Sequence, residues 1–314
     1  FGKLKTITFI LGTLFLLWKL RSKYEILHAH LVYGPAFAAM LAARFLGKRV
    51  IVKLGNSGEF GDVQHSLRTL RGRLRLAMLR RWADVIIALD DTIYNEILSV
   101  GINPKQIRRI SNGINVGNFS PLQTRIEAKK NLGLTNKVVM IFVGRLSPQK
   151  SLPTLLQALE RALTSSPNLH LLLIGDGPDC IALEDQVQLL GIRDCVEFLG
   201  NQSDVRPYLN AADIFVLPSK SEGISNALLE AMSAGLACVV TTVGGNFEIL
   251  DHGRCGVLLP PGDVSAWSNS LIELANDPEK RQALGDAAQK YVASHFDFSV
   301  VGSLYENLYT ELTS

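Results

Sequence analysis

Short apolar runs alternate along the chain with longer segments whose apolar positions recur at helical spacing. The short runs, rich in Val, Ile and Leu, predict buried strands, and the amphipathic segments between them predict helices. The predicted strands are Ile26–His28, Arg49–Lys53, Val85–Leu89, Val138–Val143, His170–Ile174, Val196–Leu199, Ile214–Leu217, Ala237–Thr241 and Gly256–Leu258. The predicted helices are Pro35–Phe45, Leu67–Trp82, Tyr94–Val100, Leu152–Leu163, Ile181–Leu190, Ser203–Asn210, Asn226–Ala234, Val264–Ala275 and Glu279–Ser294. This alternation favours parallel sheets covered on both faces.

The stretch Ser111–Leu134 differs from the rest, because it is polar and broken by Gly113, Gly117, Pro121 and Gly133. A polar stretch with several glycine and proline residues is typical of a connection between domains. The pattern therefore predicts two doubly wound α/β domains, with a cleft between them as the expected ligand site.

The N-terminal apolar run, Ile7–Trp18, has Lys and Arg on both sides. It is shorter than the roughly 20 apolar residues that cross a bilayer, and no small-residue cleavage site follows it. We interpret it as a buried helix that packs on a sheet, with a membrane anchor as the alternative. Because the chain enters this helix directly and without Met, we also expect coding sequence in front of it.

Composition narrows the class of protein. The 314 residues are 47% hydrophobic and 19% charged, which suits about two packed domains and excludes a disordered or collagen-like chain. The four cysteines stand apart from one another and from any histidine cluster, so we expect neither a disulfide framework nor a structural zinc site. A reducing, cytosolic compartment fits this cysteine usage best.

The net charge of +3 conceals a strong asymmetry. Residues 1–112 contain 18 basic and 7 acidic residues, and the remainder contains 14 basic and 22 acidic residues. A basic half can face an anionic acceptor or membrane surface, or it can be an ordinary solvated surface. The segment Leu67–Arg81, with Leu and Arg at helical spacing, has the same two interpretations. Of these, a helix that faces the core and has a basic outer side is favoured.

The first candidate site follows the strand Val138–Val143, in the sequence GRLSPQKS. Gly144 ends the strand, and Arg145 and Lys150 lie before the helix that begins at Leu152. Ligands of open α/β sheets bind at the carboxyl ends of strands, and two cations beside a helix N-terminus suit a diphosphate. Two solvated surface cations are the alternative.

The second candidate site follows the strand Ile214–Leu217. Glu222 and Gly223 lie in a loop, Ser225 or Asn226 can cap the next helix, and Glu230 lies about one turn into it. Two carboxylates in this arrangement can accept hydrogen bonds from the paired hydroxyls of a ribose and a hexose. Helix capping and surface charge are the alternative for both residues.

Three further features are weaker signals. The sequence IGDGPDC, followed by Glu197, partly matches the dinucleotide fingerprint, but Cys180 replaces its third glycine. No D-x-D occurs in the chain, so a diphosphate bridged by a metal lacks its usual carboxylate pair. His28 and His30 flank the end of the first strand, where His30 can be either structural or functional.

The ordered series NGIN (112–115), GRLSPQKS (144–151), IGDGP (174–178), FLG (198–200), PS–SEG–LLEAM (218–232), TTVGG (241–245) and PPGD (260–263) resembles the retaining glycosyltransferases of family four. The resemblance covers about residues 111–293 and extends weakly upstream through HAH. It implies the GT-B fold, with two doubly wound Rossmann-like domains that face a cleft. It also implies an N-terminal acceptor-side domain over 1–112, a nucleotide-sugar domain over 113–295 and a segment, 296–314, that returns to the first domain.

The resemblance also implies roles for particular residues. Arg145, Lys150 and Glu222 would be catalytic. The donor site would comprise Gly144, Arg145, Lys150, Gly175, Phe198, Glu222, Gly223, Ile224, Ser225, Asn226 and Glu230, with Glu230 on the nucleotide ribose and Glu222 near the sugar. His30 and Asn56 would lie on the acceptor side.

The sequence departs from this family in three places. The first strand of the family and its glycine-rich loop have no counterpart here, so the first domain is expected to be incomplete at its start. The segment KLGNSGEFGD, which contains Asn56, stands where members often have a His. Asn115 replaces the usual Asp of the NGVD motif. An incomplete first domain would leave strand edges and apolar helix faces uncovered.

We therefore expect a retaining hexosyltransferase that uses a UDP- or GDP-sugar without metal or cofactor. Its acceptor is expected to be a glycan or a lipid-linked sugar of cell-surface polysaccharide or glycolipid synthesis. The expected location is the cytoplasm, at the inner face of an anionic membrane, with no nucleic-acid partner. The alternatives are a nucleotide-sugar-binding module without turnover and, as a minor one, a Rossmann-type NAD(P)-dependent oxidoreductase.

Overall fold

A computed structural model describes residues 2–58, 61–120 and 123–314 of the chain. The chain divides into two compact units. Unit 1 comprises Phe1–Asn112, Ser221–Ile224 and Ser299–Ser314, and unit 2 comprises Gly113–Lys220 and Ser225–Phe298. Each unit contains one parallel sheet with helices in its connections.

Unit 1 is built on four parallel strands in the order β1-β2-β3-β4. The strands are β1 (Ile26–His30), β2 (Arg49–Lys53), β3 (Val85–Ala88) and β4 (Ile107–Arg109). The helices are α1 (Gly2–Lys19), α2 (Gly34–Leu46), α3 (Asp62–Leu67), α4 (Leu70–Trp82), α5 (Asp91–Ser99) and, from the end of the chain, α14 (Phe298–Thr313). Two buried residues of α14, Val301 and Leu308, pack with Ile51 and Ile87 of the sheet, so the end of the chain completes this core.

Unit 2 is built on six parallel strands in the order β10-β9-β8-β5-β6-β7. The strands are β5 (Val138–Val143), β6 (Leu169–Ile174), β7 (Val196–Gly200), β8 (Ile214–Leu217), β9 (Ala237–Thr241) and β10 (Val257–Leu259). The helices are α6 (Arg125–Asn131), α7 (Leu152–Leu163), α8 (Cys180–Leu189), α9 (Arg206–Ala211), α10 (Asn226–Ser233), α11 (Asn246–Ile249), α12 (Val264–Asn276) and α13 (Pro278–His295). The central strands β8 and β9 are fully buried, which explains why their sequences are continuous apolar runs.

The N-terminal helix differs from its prediction. We expected a buried helix on a sheet, but α1 packs against α2, and Leu11, Phe15 and Trp18 are each more than half exposed. No helix in the described part of the chain has the length and apolar character needed to span a membrane.

The predicted helix Leu67–Trp82 corresponds to α4, which begins at Leu70, and a separate short helix, α3, ends at Leu67. Thr69 separates them and caps α4 by accepting a hydrogen bond from the backbone N–H of Gly72. The leucine spacing predicts that Leu70, Leu74 and Met78 share the face towards the core, but Leu70 and Leu74 are 84% and 60% exposed and only Met78 of these three is buried. The buried face of α4 instead comprises Gly72, Leu76, Met78 and Leu79. The Leu and Arg spacing therefore identifies the helix but not its inner side.

Besides α3, three elements were not foreseen. The edge strand β4 has a single buried residue, Ile107, and so lacks an apolar run. Helix α6 lies within the stretch that we interpreted as a connection, although Thr124 and Glu127 form a capping box that signals a helix start. The third element, α11, is a single turn.

Candidate donor site

The carboxyl edge of the unit 2 sheet contains a topological switch point. From β5 the chain proceeds outward through β6 and β7 on one side, and through β8, β9 and β10 on the other. Because successive connections leave β5 and β8 in opposite directions, a crevice opens between the loops that follow them. The two candidate sites of the sequence follow these two strands.

Two glycines bring the loops after β5 and β6 into backbone contact. Gly144 and Gly175 have φ values of +154° and +130°, which side chains rarely adopt. The backbone N–H of Gly144 donates to the carbonyl of Ile174. A Cβ on Gly175 would lie 1.9 Å from the carbonyl oxygen of Gly144, so glycine is required at this position.

A cavity of about 540 Å³ lies at this edge, over the ends of β5 and β6. Its walls are Val143, Gly144, Arg145, Ile174, Gly175, Asp176, Gly177, Asn201, Gln202 and Val205. Three of the predicted donor-site residues, Gly144, Arg145 and Gly175, thus share one cavity. The sequence interpretation missed Asn201 and Gln202; their signal was their position directly after β7, at the same sheet edge.

The two predicted phosphate-binding cations follow β5 closely. Arg145 is exposed on the cavity wall and has no ion-pair partner among the residues that the structure describes. Lys150 ends the short 3-10 turn Pro148–Lys150, and its Cε lies 3.9 Å from the place that a Cβ on Gly144 would occupy. Both cations therefore lie beside Gly144, at the carboxyl end of β5.

The turn into α7 is strained. Ser151 has a φ of +51° although it carries a side chain, and its hydroxyl lies 3.1 Å from that of Thr154. Such conformations persist where the surrounding structure fixes them, and they concentrate at functional sites.

The loops after β5 and β8 are connected by a backbone hydrogen bond, in which the N–H of Lys220 donates to the carbonyl of Gln149.

Helix α10 begins directly at this edge. Ser225 caps it by accepting a hydrogen bond from the backbone N–H of Leu228, and Asn226 is its exposed first residue. Glu230 is half-buried, and burial raises the pKa of its carboxyl. Within the described chain this carboxylate has no ion-pair partner, so it is available to accept hydrogen bonds from hydroxyl groups.

The loop Ser221–Ile224 belongs to unit 1. The Ser57 hydroxyl donates to the carbonyl of Glu222, and the Ser221 hydroxyl donates to the carbonyl of Ser57, each at 2.6 Å. A Cβ on Gly223 would lie 2.0 Å from the carbonyl oxygen of Gly55. Glu222 is buried, with 5% of its surface exposed. This loop is therefore held by a specific backbone fit, which motif spacing alone did not reveal.

The predicted acceptor-side residues lie in unit 1. His30 is the exposed last residue of β1, and Asn56 forms an isolated antiparallel bridge with Gly223. Burial and the nearby Lys53 charge lower the pKa of His30. Asn56 is thus next to the Glu222 loop in the same unit.

The partial dinucleotide fingerprint has a different physical explanation. A Cβ on Gly177 would lie 2.1 Å from the carbonyl oxygen of Leu146, so this glycine accommodates a neighbouring loop. Glu197 lies within β7, with its Oε2 3.7 Å from Nε2 of His170. Phe198, the next residue, is half-buried and is not part of the cavity wall. The geometry gives no reason to assign these residues to a nicotinamide dinucleotide.

Acidic and metal-ligating side chains do not cluster in the described ranges: no group of three His, Cys, Asp or Glu residues there could hold a metal ion. The four cysteines are free thiols, with Cys238 and Cys255 buried.

Comparison with known proteins identifies two family models along the chain. Residues 124–291 match the model described as glycosyl transferases group 1, and residues 1–118 match the model described as glycosyltransferase family 4. The first match covers more than half of the chain and includes every predicted donor-site residue.

Two curated proteins illustrate the relationship. The N-acetyl-alpha-D-glucosaminyl L-malate synthase of Bacillus anthracis is 29% identical over 293 residues, which cover 93% of this chain and 76% of that protein. The UDP-Gal:alpha-D-GlcNAc-diphosphoundecaprenol alpha-1,3-galactosyltransferase of Escherichia coli is 28% identical over 271 residues, which cover 82% of this chain and 68% of that protein.

Solved structures give the fold. HepE of Anabaena in complex with UDP matches with a TM-score of 0.85 at 21% sequence identity, over 96% of this chain and 82% of that one. HepE in complex with UDP-glucose matches equally well, with a TM-score of 0.85 at 22% identity, over 96% and 82% of the two chains. This likeness shows that the two units have the GT-B fold.

Proposed function

The chain belongs to the group 1 glycosyl transferases, and we propose that it transfers a hexosyl unit from a UDP- or GDP-sugar to a glycan or lipid-linked acceptor with retention of configuration. The observation that carries this proposal is the carboxyl edge of the unit 2 sheet. There, Gly144 and Gly175 hold the loops after β5 and β6 in backbone contact, and Arg145 and Lys150 lie beside them at a switch point of the sheet that also carries the capped helix α10.

The diphosphate of the donor binds beside Gly144. Arg145 and Lys150 donate charged hydrogen bonds to its oxygens, and these bonds strengthen as the phosphate leaves and its negative charge grows. The cations thus stabilise the departing diphosphate more than the bound donor, which is the condition for faster transfer.

The two glutamates hold different parts of the donor. The half-buried carboxylate of Glu230, whose pKa is raised by burial, accepts hydrogen bonds from the ribose hydroxyls. Glu222 and the backbone of Gly223–Asn226 hold the hexose. The leaving phosphate and the acceptor lie on the same face of the sugar, so retention needs no nucleophile from the protein.

We propose that the reaction is independent of metal ions and cofactors. The role that a divalent cation plays elsewhere, neutralising the diphosphate, falls to Arg145 and Lys150 here. The N-terminal unit supplies the acceptor side, with His30 and Asn56 on it. The acceptor belongs to cell-surface polysaccharide or glycolipid synthesis, and transfer takes place at the inner face of an anionic membrane.

A nucleotide-sugar-binding module without turnover is the second candidate, and it uses the same unit 2 site. A screen of nucleotide-sugars by thermal unfolding, followed by assay of nucleoside diphosphate release, separates the two. We expect one UDP- or GDP-sugar to raise the melting temperature and to be consumed, with the α-configured donor giving an α-configured product by proton NMR. Stabilisation without release would support the binding module, and an inverted product would contradict retention.

A further inference from the structure

The segment Gly55–Gly58, which follows β2 in unit 1, has glycine at both of its ends. Glycine has more conformational freedom than any other residue, so a segment of this composition keeps one conformation only where other groups fix it. Gly58 has a φ of +71°, and a Cβ on Gly61 would lie 2.7 Å from the carbonyl carbon of Ser57. The backbone therefore turns sharply here, and its shape depends on the groups that bind it.

Asp62 fixes the first half of this segment. It is the first residue of α3 and is only 1% exposed. Its Oδ2 accepts hydrogen bonds from the backbone N–H of Gly55 at 2.7 Å and of Asn56 at 3.3 Å, and its own N–H donates to the Asn56 carbonyl. The Tyr33 hydroxyl donates to the same carboxylate. These donors replace the water that the carboxylate loses on burial, which makes a buried charge tolerable.

Glu96 of α5 fixes the second half. Its Oε1 accepts a hydrogen bond from the backbone N–H of Gly58 at 2.7 Å. Burial, assisted by the charge of Asp62, raises the pKa of Glu96, and burial also raises the pKa of Asp62. Two partly or fully buried carboxylates from different helices thus converge on one short segment, although like charges repel each other.

The same segment contacts the Glu222 loop, Ser221–Ile224, within unit 1. The Ser57 hydroxyl donates to the Glu222 carbonyl, and the Ser57 carbonyl accepts from the Ser221 hydroxyl, each at 2.6 Å. The bridge between Asn56 and Gly223 adds a backbone contact. Because these contacts involve the backbone, a displacement of the segment after β2 would displace the Glu222 loop with it.

We propose that Asp62 and Glu96 are positioning residues of the transfer reaction. By holding the segment Gly55–Gly58, they hold the Glu222 loop and so direct the Glu222 carboxylate to the hexose of the donor. A misplacement of about 1 Å in such a group can cost on the order of 100-fold in rate. This inference rests on the role of Glu222 in the proposed function. It adds two residues that act through the backbone rather than by contact with the donor.

The first test measures the loop in the full chain without any ligand. Hydrogen exchange, followed by mass spectrometry of peptides over residues 54–58 and 218–229, reports the protection of both segments. We expect Asp62→Ala and Glu96→Ala each to raise the exchange rate of the amides at 221–224 at least tenfold. Asp62→Asn keeps an acceptor oxygen and should stay within threefold of the wild type. Unchanged exchange at 221–224 in both alanine variants would overturn the inference.

The second test separates positioning from a purely structural role. Calorimetry and the release assay use the UDP- or GDP-sugar that the thermal screen selects and the nucleoside diphosphate that it contains. Asp62→Ala and Glu96→Ala should weaken the nucleotide-sugar, or lower its turnover, at least tenfold. Affinity for the nucleoside diphosphate should stay within twofold, because only the sugar depends on Glu222. Asp62→Asn should bring the nucleotide-sugar values back to within threefold of the wild type.

Asp84→Ala is the matched control. The Asp84 carboxylate also accepts a hydrogen bond from a backbone N–H of unit 1, that of Val50 at 2.8 Å, but at the amino end of β2. Its removal should lower the melting temperature and leave exchange at 221–224 and both ligand affinities unchanged. Ser57→Ala is a milder variant, which removes only the hydroxyl contact to the Glu222 carbonyl. It should reproduce the selective loss of nucleotide-sugar affinity even where circular dichroism shows that Asp62→Ala does not fold.

Equal losses for the two ligands, or the same selective loss in Asp84→Ala, would show a general loss of stability and would overturn the inference. Unchanged affinity and turnover for the nucleotide-sugar in Glu96→Ala and Ser57→Ala would overturn it as well. Failure of the proposed function is distinguishable, because it appears in the wild type as absence of nucleotide-sugar binding or consumption. The positioning role would then fall with it, whatever the exchange rates show.

Discussion

The individual residues of the candidate donor site have two proposed roles. The cations bind the phosphate charge of the donor, and the carboxylates accept hydrogen bonds from its hydroxyl groups. Arg145 is exposed and unpaired within the described chain, whereas Glu230 is half-buried and has a raised pKa. Charged residues without a function usually lie on the exposed surface. Glu230 is instead half-buried without an ion-pair partner in the described chain, and Arg145 lies next to Gly144 on a cavity wall. Glu222 differs from both, because its loop is fixed by Ser57 and Gly55 of unit 1.

The two glutamates should respond differently to substitution. Glu230→Gln should weaken nucleoside diphosphate and nucleotide-sugar alike by about 1.5 kcal/mol, because both ligands contain the ribose. Glu222→Gln should spare the nucleoside diphosphate and reduce affinity or turnover for the nucleotide-sugar. Calorimetric titration of both ligands against both variants measures this difference. Changes below about 0.5 kcal/mol throughout would show that neither carboxylate contacts the donor.

At the scale of elements, the loops at the carboxyl edge of unit 2 depend on a few glycines. Gly175→Ala would place a Cβ 1.9 Å from the Gly144 carbonyl oxygen at a φ of +130°. We expect a loss of about 3 kcal/mol or more in the free energy of unfolding, since overpacking adds to backbone strain.

Gly191→Ala is the matched control for this prediction. Gly191 has a φ of +68° but nothing within 4 Å of an added Cβ, so only the backbone strain of about 1 kcal/mol should remain. Urea denaturation of both variants measures the two losses. Similar losses would show that the contact with Gly144 is not the reason for glycine at position 175.

Docking of α14 on the unit 1 sheet has a pH dependence of its own. His28 Nδ1 lies 2.9 Å from the Tyr309 hydroxyl, and burial, assisted by the His30 and Lys53 charges, lowers the pKa of His28 to about 4. In the unfolded chain the His28 imidazole is protonated as the pH falls below about 6.5, whereas in the folded chain it stays neutral down to about pH 4. Stability should fall as the pH decreases through this window.

The variant His28→Gln isolates this contribution. Between pH 7 and pH 4.5 the wild type should lose about 1–2 kcal/mol more than His28→Gln, a figure reduced for partial solvent screening. Denaturant unfolding at a series of pH values measures the difference. Parallel pH profiles of the two proteins would show that His28 does not control acid stability.

The sequence predicted the structure correctly where nearly every residue of a strand is buried. Strands β5, β6 and β8 lie in the middle of the unit 2 sheet, so their apolar runs were readable and the residues after them could be placed at one edge. The sequence did not predict features that depend on contacts between residues far apart along the chain. The fit of Gly223 against Gly55 and the choice of Leu76 over Leu74 as a buried residue depend on partners that local periodicity does not contain.

At the scale of the whole molecule, the family model matches residues 124–291, and the switch point of the unit 2 sheet lies within them at the edge proposed as the donor site. Both cations proposed for the diphosphate come from one loop, Gly144–Lys150, so in this proposal unit 2 both binds the donor and supplies the positive charge for the leaving diphosphate. The proposal assigns the acceptor side to unit 1, and the basic character of the chain up to Asn112 suits an anionic acceptor or membrane.

The proposed metal independence is tested on the complete reaction. With the donor and acceptor identified, turnover in excess chelator should equal turnover in its absence, because the arginine and lysine replace the cation on the diphosphate. The rate of nucleoside diphosphate release measures it. A loss of activity that magnesium or manganese restores would place a metal ion in the mechanism.

The central claim is that Arg145 and Lys150 bind the diphosphate of the donor. Calorimetric titration of Arg145→Ala and Lys150→Ala tests this claim most directly. Lys290→Ala, at an exposed cation elsewhere in unit 2, is the control. Each of the first two variants should weaken binding of the nucleoside diphosphate by about 1.5–3 kcal/mol through lost charged hydrogen bonds. Neither should change binding of the bare nucleoside, and Lys290→Ala should change neither ligand. Equal losses for the nucleoside and the nucleoside diphosphate, or no loss for either, would contradict a phosphate site at Gly144.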